Sequence, residues 1–435
     1  MWQKTFKNSA IVFLGVILSR FFVFLYNTIV IRQLSVPEYA TYSFLMSVVT
    51  WVLVFSHLDL YSALSKFVSE SRASRKFELV PSYYTNASLM ALALSIVGIF
   101  LGILLSNDQK VAALPLTICL MSLIPLALLT INNGMLMGFH QFKISAAIDA
   151  SNGLAKFMII FLPLFALGKL HLEQILALST CATFIPLGLS YAFIIRRIQK
   201  PNYFSQGILN KKVMFNLLHY SKWVCLTDLL SSGLFLLANF ILSTHSIEDL
   251  ALFNIVVLLY SVFQIALGAI TPVLIPQIAD TAAKNHPIKV MGIREIIFLL
   301  IVASCLIGFI FVMPFKEYIL TMIFGKTQYS DALTYVALLL ISFPFRLATA
   351  TNKGIVQGLN RPKSIAIASA LTFGSAAVLF LLFYERYGLS GLITAFILSY
   401  FLEFILTYKA ANREIRQARL NFPNEHPVPH ELPTL

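Results

Sequence analysis

The chain has 435 residues, of which 58% are apolar and only 12% charged, with a mean hydropathy of +0.81. A soluble domain carries roughly twice that charged fraction, so a water-soluble enzyme is excluded. The net charge of +13 does not signal nucleic-acid binding, because Lys and Arg cluster between hydrophobic segments instead of forming one basic face.

Hydropathy predicts an all-α membrane protein of about twelve transmembrane helices, each apolar run long enough to cross ~30 Å of hydrocarbon. In chain order the spans are 8–32, 41–64, 83–106, 112–138, 145–167, 173–195, 219–242, 250–279, 291–314, 331–357, 364–384 and 389–411. The first is followed at once by the second, so it reads as a retained helix and not a cleaved signal peptide. Connections are short, the longest running from Arg196 to Leu218. Beyond Asn412 a polar tail with Pro423, Pro427, Pro429 and Pro433 reads as disordered.

Lys and Arg set the orientation. With the N-terminus in the cytoplasm, 23 of the 32 basic residues fall on that side and six on the other: Arg32, Lys110, Lys169, Lys316, Lys326 and Arg386. Both termini are then cytoplasmic. The four cysteines (Cys119, Cys181, Cys225, Cys305) are isolated inside apolar runs, which implies neither a disulfide framework nor a zinc site.

The chain repeats itself. Asn132-Asn133-Gly134 through Gly138, with Lys143 beyond, matches Asn352-Lys353-Gly354 through Gly358, with Lys363 beyond, at an offset of 220 residues. The same offset carries Gly168 onto Gly388, Leu172 onto Leu392 and Arg196 onto Arg416, while Ser35–Tyr42 matches Ser246–Phe253 at an offset of 211. Six spans therefore repeat as six in the same orientation. The expected organisation is a six-helix bundle over 1–200, a second over 201–411, and a cytoplasmic tail over 412–435. Parallel repeats of this kind place a substrate path between two bundles.

Ionisable groups within a span cost ~2.5–3.5 kcal/mol each on insertion scales and so face the bundle interior or a wet cavity. Ser145, Asp149, Asn152 and Lys156 in span 5 are 4, 3 and 4 residues apart, as are Ser342, Arg346, Thr349 and Lys353 in span 10. That spacing places each set on one helix face. Span 7 aligns Ser221, Asp228, Ser232 and Asn239; span 8 aligns Asn254, Ser261, Gln264 and Thr271; span 1 carries Arg20 and Asn27. Such stripes either join helices by hydrogen bonds or line a cavity. For the three mid-span cations Arg20, Lys156 and Arg346 the cavity reading is favoured, with Asn27 and Asn152 beside them as candidate substrate contacts. Asp149 and Asp228 either neutralise those cations or bind a coupling ion. Asp59 and Glu403 lie a few turns from the cytoplasmic surface, within reach of water.

Enzymatic constellations are missing. No helical His pair offers a metal site, no Gly-rich phosphate loop or G-x-S-x-G occurs, and no acidic residue lies between Glu173 and Asp228. Neither a cofactor nor a metal is expected.

Ser19-Arg20 in the first span, Arg32-Gln33-Leu34 before Pro37-Glu38-Tyr39, and the stretch from Asp59-Leu60-Tyr61 to Lys66-Phe67-Val68 together resemble the polysaccharide flippases of the multidrug/oligosaccharidyl-lipid/polysaccharide exporter superfamily. The resemblance is specifically to O-antigen translocases of the Wzx type. Gly134-x-x-x-Gly138 and Gly354-x-x-x-Gly358, each followed by Lys, are similar to the family's ends of spans 4 and 10. Two departures stand out: Ala40 follows Pro-Glu-Tyr where the family has Gly, and Leu60 and Tyr61 follow Asp59 where a Gly is common. The resemblance implies a V-shaped pair of six-helix bundles in the bacterial inner membrane. These would carry an undecaprenyl-pyrophosphate-linked oligosaccharide from the cytoplasmic to the periplasmic leaflet by alternating access. It also implies membrane lipids as neighbours, with a polysaccharide polymerase and a chain-length regulator as candidate partners. A drug or toxin cation antiporter of the same superfamily would want carboxylates in its cavity, whereas the deep charges here are mostly cationic. A membrane enzyme such as an O-antigen polymerase would need a long outer loop.

The orientation is directly testable. In a Cys-free background, Lys110→Cys, Lys316→Cys and Arg386→Cys should react with an impermeant thiol reagent added outside cells with a permeable outer membrane. Lys76→Cys and Lys211→Cys should stay unlabelled. The reverse pattern would overturn it.

Overall fold

Hydrocarbon offers no partner to a backbone amide, so each apolar run must satisfy its own N–H and C=O groups, and a helix does this within one segment. The computed structural model describes residues 2–106, 113–198, 209–264, 275 and 331–421. Within them the chain is helical throughout, apart from short turns. The first half comprises α1 (Trp2–Gln33), α2 (Val36–His57), α3 (Leu60–Ala73), a short 3₁₀ turn (Phe77–Leu79), α4 (Val80–Ser106), α5 (Ala113–Met121), α6 (Leu123–Gly138), α7 (Phe142–Leu167), α8 (Leu172–Ala182) and α9 (Phe184–Ile198). The second comprises α10 (Lys211–His245), α11 (Ile247–Phe263), α12 (Ala332–Leu340), α13 (Phe343–Gly358) and α14 (Lys363–Asn421).

Several spans are built from two helices. A break at Leu58 and Asp59, both left-handed at φ 47°, joins α2 to α3. Breaks at Ser122 and Ser342 join α5 to α6 and α12 to α13, the latter pair bent by 50°. Among the described residues eight helices are long and apolar enough to cross a membrane, or nine if the bent pair is one span. The 59 residues of α14 would stretch to roughly 90 Å if straight, far more than one bilayer. Gly388, at φ 60° and ψ −144°, breaks this segment into the two spans expected at 364–384 and 389–411. The ninth expected span (291–314) and the end of the eighth lie outside the described residues.

The internal repeat is visible in backbone geometry. His140 and Asn360, 220 positions apart, are both left-handed, as are Gly168 and Gly388. After α6 the N–H groups of Phe139, His140 and Gln141 donate to the carbonyls of Met135, Met137 and Leu136. After α13 those of Leu359, Asn360 and Arg361 donate to Ile355, Gln357 and Val356, again at an offset of 220. At the offset of 211, Ser35 heads α2 and Ser246 heads α11. Ser35 N–H donates to Glu38 Oε2 at 2.9 Å, and Asp249 N–H donates to Ser246 Oγ at 3.1 Å. Each pairs a Ser cap with an acid three residues on, a reliable helix start.

The tail differs from expectation over 412–421, which continues α14 as helix. Arg361, just beyond α13, holds Glu414 at 3.1 Å and Gln417 at 2.5 Å, which pins this segment to the bundle. The expected tail beyond Asn421 lies outside the described residues.

Glycines let helices within a bundle touch backbone to backbone. A methyl at Gly134 would stand 2.8 Å from Tyr61 O on α3, one at Gly138 would meet the Val68 side chain, and one at Gly153 of α7 would strike Ser19 O of α1. Small residues at such crossings are the usual basis of membrane helix packing. Apolar cores continue across the two halves: Tyr26, Leu34 and Leu45 share one with Leu242, Phe253 and Phe396, and Leu64 and Ile148 share another with Leu217 and Val224.

Gly134→Leu and Gly153→Leu should each cost about 1–3 kcal/mol or more by overpacking, read as a lower melting temperature in detergent. Gly188→Ala and Gly374→Ala, where an added methyl meets nothing within 4 Å, should melt like the parent protein.

Candidate functional site

A cavity of about 360 Å³ lies between the halves. Its wall takes Arg20 from α1 and Asp59 and Ser62 from the start of α3, which belong to the first bundle. The second bundle contributes Asp228 and Ser231 from α10, Ser261 from α11, Arg346, Thr349 and Lys353 from α13, and Tyr400 and Glu403 from α14. Arg346, Thr349 and Lys353 are the expected stripe of span 10, and the 3- and 4-residue spacing aims all three into one space.

Charge pairing here is uneven. Lys353 Nζ forms a salt bridge with Glu403 Oε1 at 2.8 Å and donates to Ser231 Oγ at 3.1 Å. Arg346 donates to the Tyr400 hydroxyl at 2.6 Å, with its guanidinium 4.4 Å from the centre of that ring. Such a contact holds the cation in place without cancelling its charge. Neither Arg20 nor Arg346 forms a salt bridge among the described residues. Asp59 is 6% exposed, and its Oδ2 has no hydrogen-bond partner among the described residues. The wall therefore carries Asp59, Asp228 and Glu403 beside Arg20, Arg346 and Lys353. It is a mixed surface, not the mainly cationic one the sequence suggests.

The remaining candidates lie elsewhere. Asp149 accepts from Asn133 Nδ2 at 2.9 Å, close enough to Arg20 for the two charges to interact. Lys156, on the same face of α7, also senses the Arg20 charge. Asn152 lies between them with a buried, unpartnered Oδ1. These three belong to the contact of α7 with α1 and α6 inside the first bundle and do not line the cavity. Asn27 donates back to Val23 O of its own helix at 2.9 Å. In spans 7 and 8 the stripes divide: Asp228 and Ser261 reach the cavity, while Asn254 Nδ2 donates to Asn239 Oδ1 at 2.9 Å and joins α10 to α11. Thr271 lies outside the described residues.

Contacts between the bundles flank the cavity. Trp51 Nε1 donates to Leu229 O at 3.2 Å, and the Cys225 thiol approaches Val54 O at 3.9 Å. Lys66, 2% exposed, donates to Asn360 Oδ1 at 2.8 Å, pairs with Glu70 at 3.2 Å, and lies over the rings of Phe67 and Tyr220. Its buried position depends on the turn after α13, nearly 300 residues away, which helical periodicity cannot see.

The fold is shared with solved transporters. A Vibrio cholerae MATE transporter, VcmN, in its bent form superposes with a TM-score of 0.74 at 16% identity, covering 97% of this chain and 98% of that one. An outward-facing multidrug resistance MATE transporter of the MOP superfamily gives 0.74 at 12% identity over 95% and 96% of the two chains. A MOP superfamily transporter from Pyrococcus furiosus, described as having a binding pocket of reversed polarity that suggests a different function, gives 0.77 at 12% identity over 95% and 96%. No curated protein sequence matches the chain. The sequence profile described as polysaccharide biosynthesis protein matches residues 5–282. With its multi-pass helical architecture and a two-bundle fold shared with these transporters, the chain is a membrane protein belonging to the polysaccharide biosynthesis protein family.

Proposed function

We propose that this protein is a flippase that moves an undecaprenyl-pyrophosphate-linked oligosaccharide, such as an O-antigen repeat unit, across a bacterial inner membrane with both termini in the cytoplasm. The observation that carries the reading is Arg346. It is a mid-span cation in the wall of the inter-bundle cavity, held by Tyr400, and it feels the Glu403 charge without forming a salt bridge among the described residues. Arg20 faces the same space from the other bundle and likewise forms no salt bridge among the described residues. Two guanidinium groups on opposite walls suit a pyrophosphate, whose oxygens accept several charge-assisted hydrogen bonds at once. The hydroxyls of Ser62, Ser231 and Thr349 in the same wall suit a sugar. The polyprenyl tail stays in the lipid while the head group crosses between the bundles, and rocking of the halves exchanges access.

Lys156 and Asn152 are assigned to support Arg20 from the helix behind it, and Asn27, two turns along α1, is assigned a substrate contact outside the cavity wall. The carboxylates Asp149 and Asp228 are assigned to ion coupling during the return step. A polysaccharide polymerase and a chain-length regulator would receive the exported unit. The family's link to polysaccharide biosynthesis favours this cargo over cationic drugs.

Arg346→Ala should reduce surface polysaccharide about 10- to 100-fold, the worth of one lost charged hydrogen bond of ~1.5–3 kcal/mol, with normal protein levels in the membrane. Arg346→Lys should retain part of the activity, and Arg346→Glu should fall below Ala because it repels the pyrophosphate. Lys156→Ala should also impair export. Normal surface polysaccharide in the Ala variants would refute the cavity model, and loss of the protein from the membrane would assign these charges a structural role.

A further inference from the structure

We propose that an anionic phospholipid binds along the lipid-facing seam of α10 and α14, with its phosphate at Lys222 and Lys363 and the end of one acyl chain in an apolar groove beside Trp51. Lys222, on α10, and Lys363, the first residue of α14, both lie against the half-buried Trp223, their Nζ atoms 5.3 and 5.5 Å from the centre of its ring. Trp and Lys at the start of a span are usual residents of the membrane–water interface. Both lysines are exposed, and neither forms a salt bridge among the described residues. No acidic residue occurs in 174–227 or 332–384, and Glu414 is held by Arg361, two residues before Lys363. Two like charges drawn to one ring repel each other. A phosphate between them removes that repulsion and accepts a hydrogen bond from each.

Below the lysines the two helices, which pack against each other, carry matching tracks. Lys222 is followed four residues on by Leu226 and eleven on by Gly233; Lys363 is followed at the same distances by Ile367 and Gly374. At 3.6 residues per turn each set of three shares one helix face. Leu226 is 37% exposed and Ile367 51%, so both are open to lipid, and a methyl added at Gly374 would meet nothing within 4 Å. Eleven residues of helix rise about 16 Å. That is close to half of the ~30 Å hydrocarbon core, the depth one acyl chain covers in its own leaflet.

At that depth a groove of about 630 Å³ opens between α2, α4, α10 and α14. Trp51, Leu101, Gly233, Leu237, Phe240 and Phe373 are in its wall, and Trp51, Leu101 and Phe240 are exposed. Gly233 belongs both to the track and to the groove: a methyl there would stand 3.1 Å from the Phe373 ring and 3.4 Å from Trp51 Nε1. Water finds few polar partners against such a wall, and an unfilled space of this size forfeits dispersion contacts. The end of a hydrocarbon chain supplies them. A zwitterionic lipid would bring its own cation to the two lysines, and a free phosphate ion would leave the groove unused. One anionic phospholipid satisfies both ends. The site is independent of the proposed cargo; only naming this leaflet cytoplasmic rests on the proposed orientation.

The test is quenching of Trp51 fluorescence by lipids brominated near the end of one acyl chain, with the full chain reconstituted in phosphatidylcholine vesicles. Trp2→Phe and Trp223→Tyr leave Trp51 as the one reporter and keep an aromatic face for the two lysines. Half-maximal quenching should need about 5- to 30-fold less brominated phosphatidylglycerol than brominated phosphatidylcholine, the worth of one or two lysines at an anionic head group. Lys222→Gln with Lys363→Gln should abolish that preference, and Lys222→Arg with Lys363→Arg should keep it. Equal quenching by the two lipids in the parent protein would overturn the proposal, as would a preference that survives the double Gln change. No cargo is present in these vesicles, so failure of the flippase reading leaves the result intact, and the converse also holds.

Discussion

A charge cannot face hydrocarbon, and most of this architecture follows from where the chain puts its charges instead. Moving an unpaired cation to the lipid surface mid-span would cost more than a typical helix contact returns. Arg20, Arg346 and Lys353 must therefore point at protein or at water, and so must Asp59, Asp228 and Glu403. Lys353 and Glu403 solve the problem by pairing directly. The others solve it by sharing a polar cavity at the junction of two bundles, the one place where a mid-membrane side chain can leave its own bundle without entering lipid.

Duplication supplies that junction, and divergence gives it chemistry. The turns after α6 and α13 are superimposable in their hydrogen bonds at an offset of 220 residues, so the scaffold is inherited twice. Side chains on the scaffold have parted ways. Asn133 and Lys353 occupy equivalent positions, yet Asn133 serves Asp149 inside the first bundle whereas Lys353 opens on the cavity beside Glu403. Asn132 is bonded through both Tyr84 and Ser190, while both polar atoms of its counterpart Asn352 lack a partner among the described residues. The first half has settled into static polar contacts along α7, and the second half presents more of its polar groups to the shared space.

Much of this is legible in the sequence because two periodicities carry it. Runs of apolar residues locate the spans, and the constant offset exposes the repeat even where few identities remain. Helical spacing identifies which face of a helix is polar, but not which neighbour that face meets. Hence Arg20 and Arg346 line the cavity, while Lys156 and Asn152, on an equally regular stripe, do not. The break at Leu58–Asp59 is invisible beforehand, because it contains neither Pro nor Gly, the residues that normally announce one. Without the break Asp59 is merely an acid near a helix end. With it, Asp59 reaches the wall of the cavity that Asp228 lines from α10. Glu403 and Tyr400 were hidden for a similar reason: their partners Lys353 and Arg346 lie about fifty residues earlier, across a turn whose geometry the sequence does not specify.

Within each bundle, helices meet backbone to backbone at Gly134 and Gly153, contacts that cannot loosen gradually. Between the bundles the polar contacts are single and terminal: Lys66 to Asn360, Trp51 to a carbonyl, a thiol near Val54 O. The apolar surface joining the halves has little reason to resist separation either, since lipid tails solvate Leu and Phe about as well as other side chains do. Under the proposed alternating access, rigid halves joined by exchangeable contacts would move as bodies. The charges lining the gap then set the cost of each position, because any opening that hydrates them or any cargo that neutralises them shifts the balance by several kcal/mol.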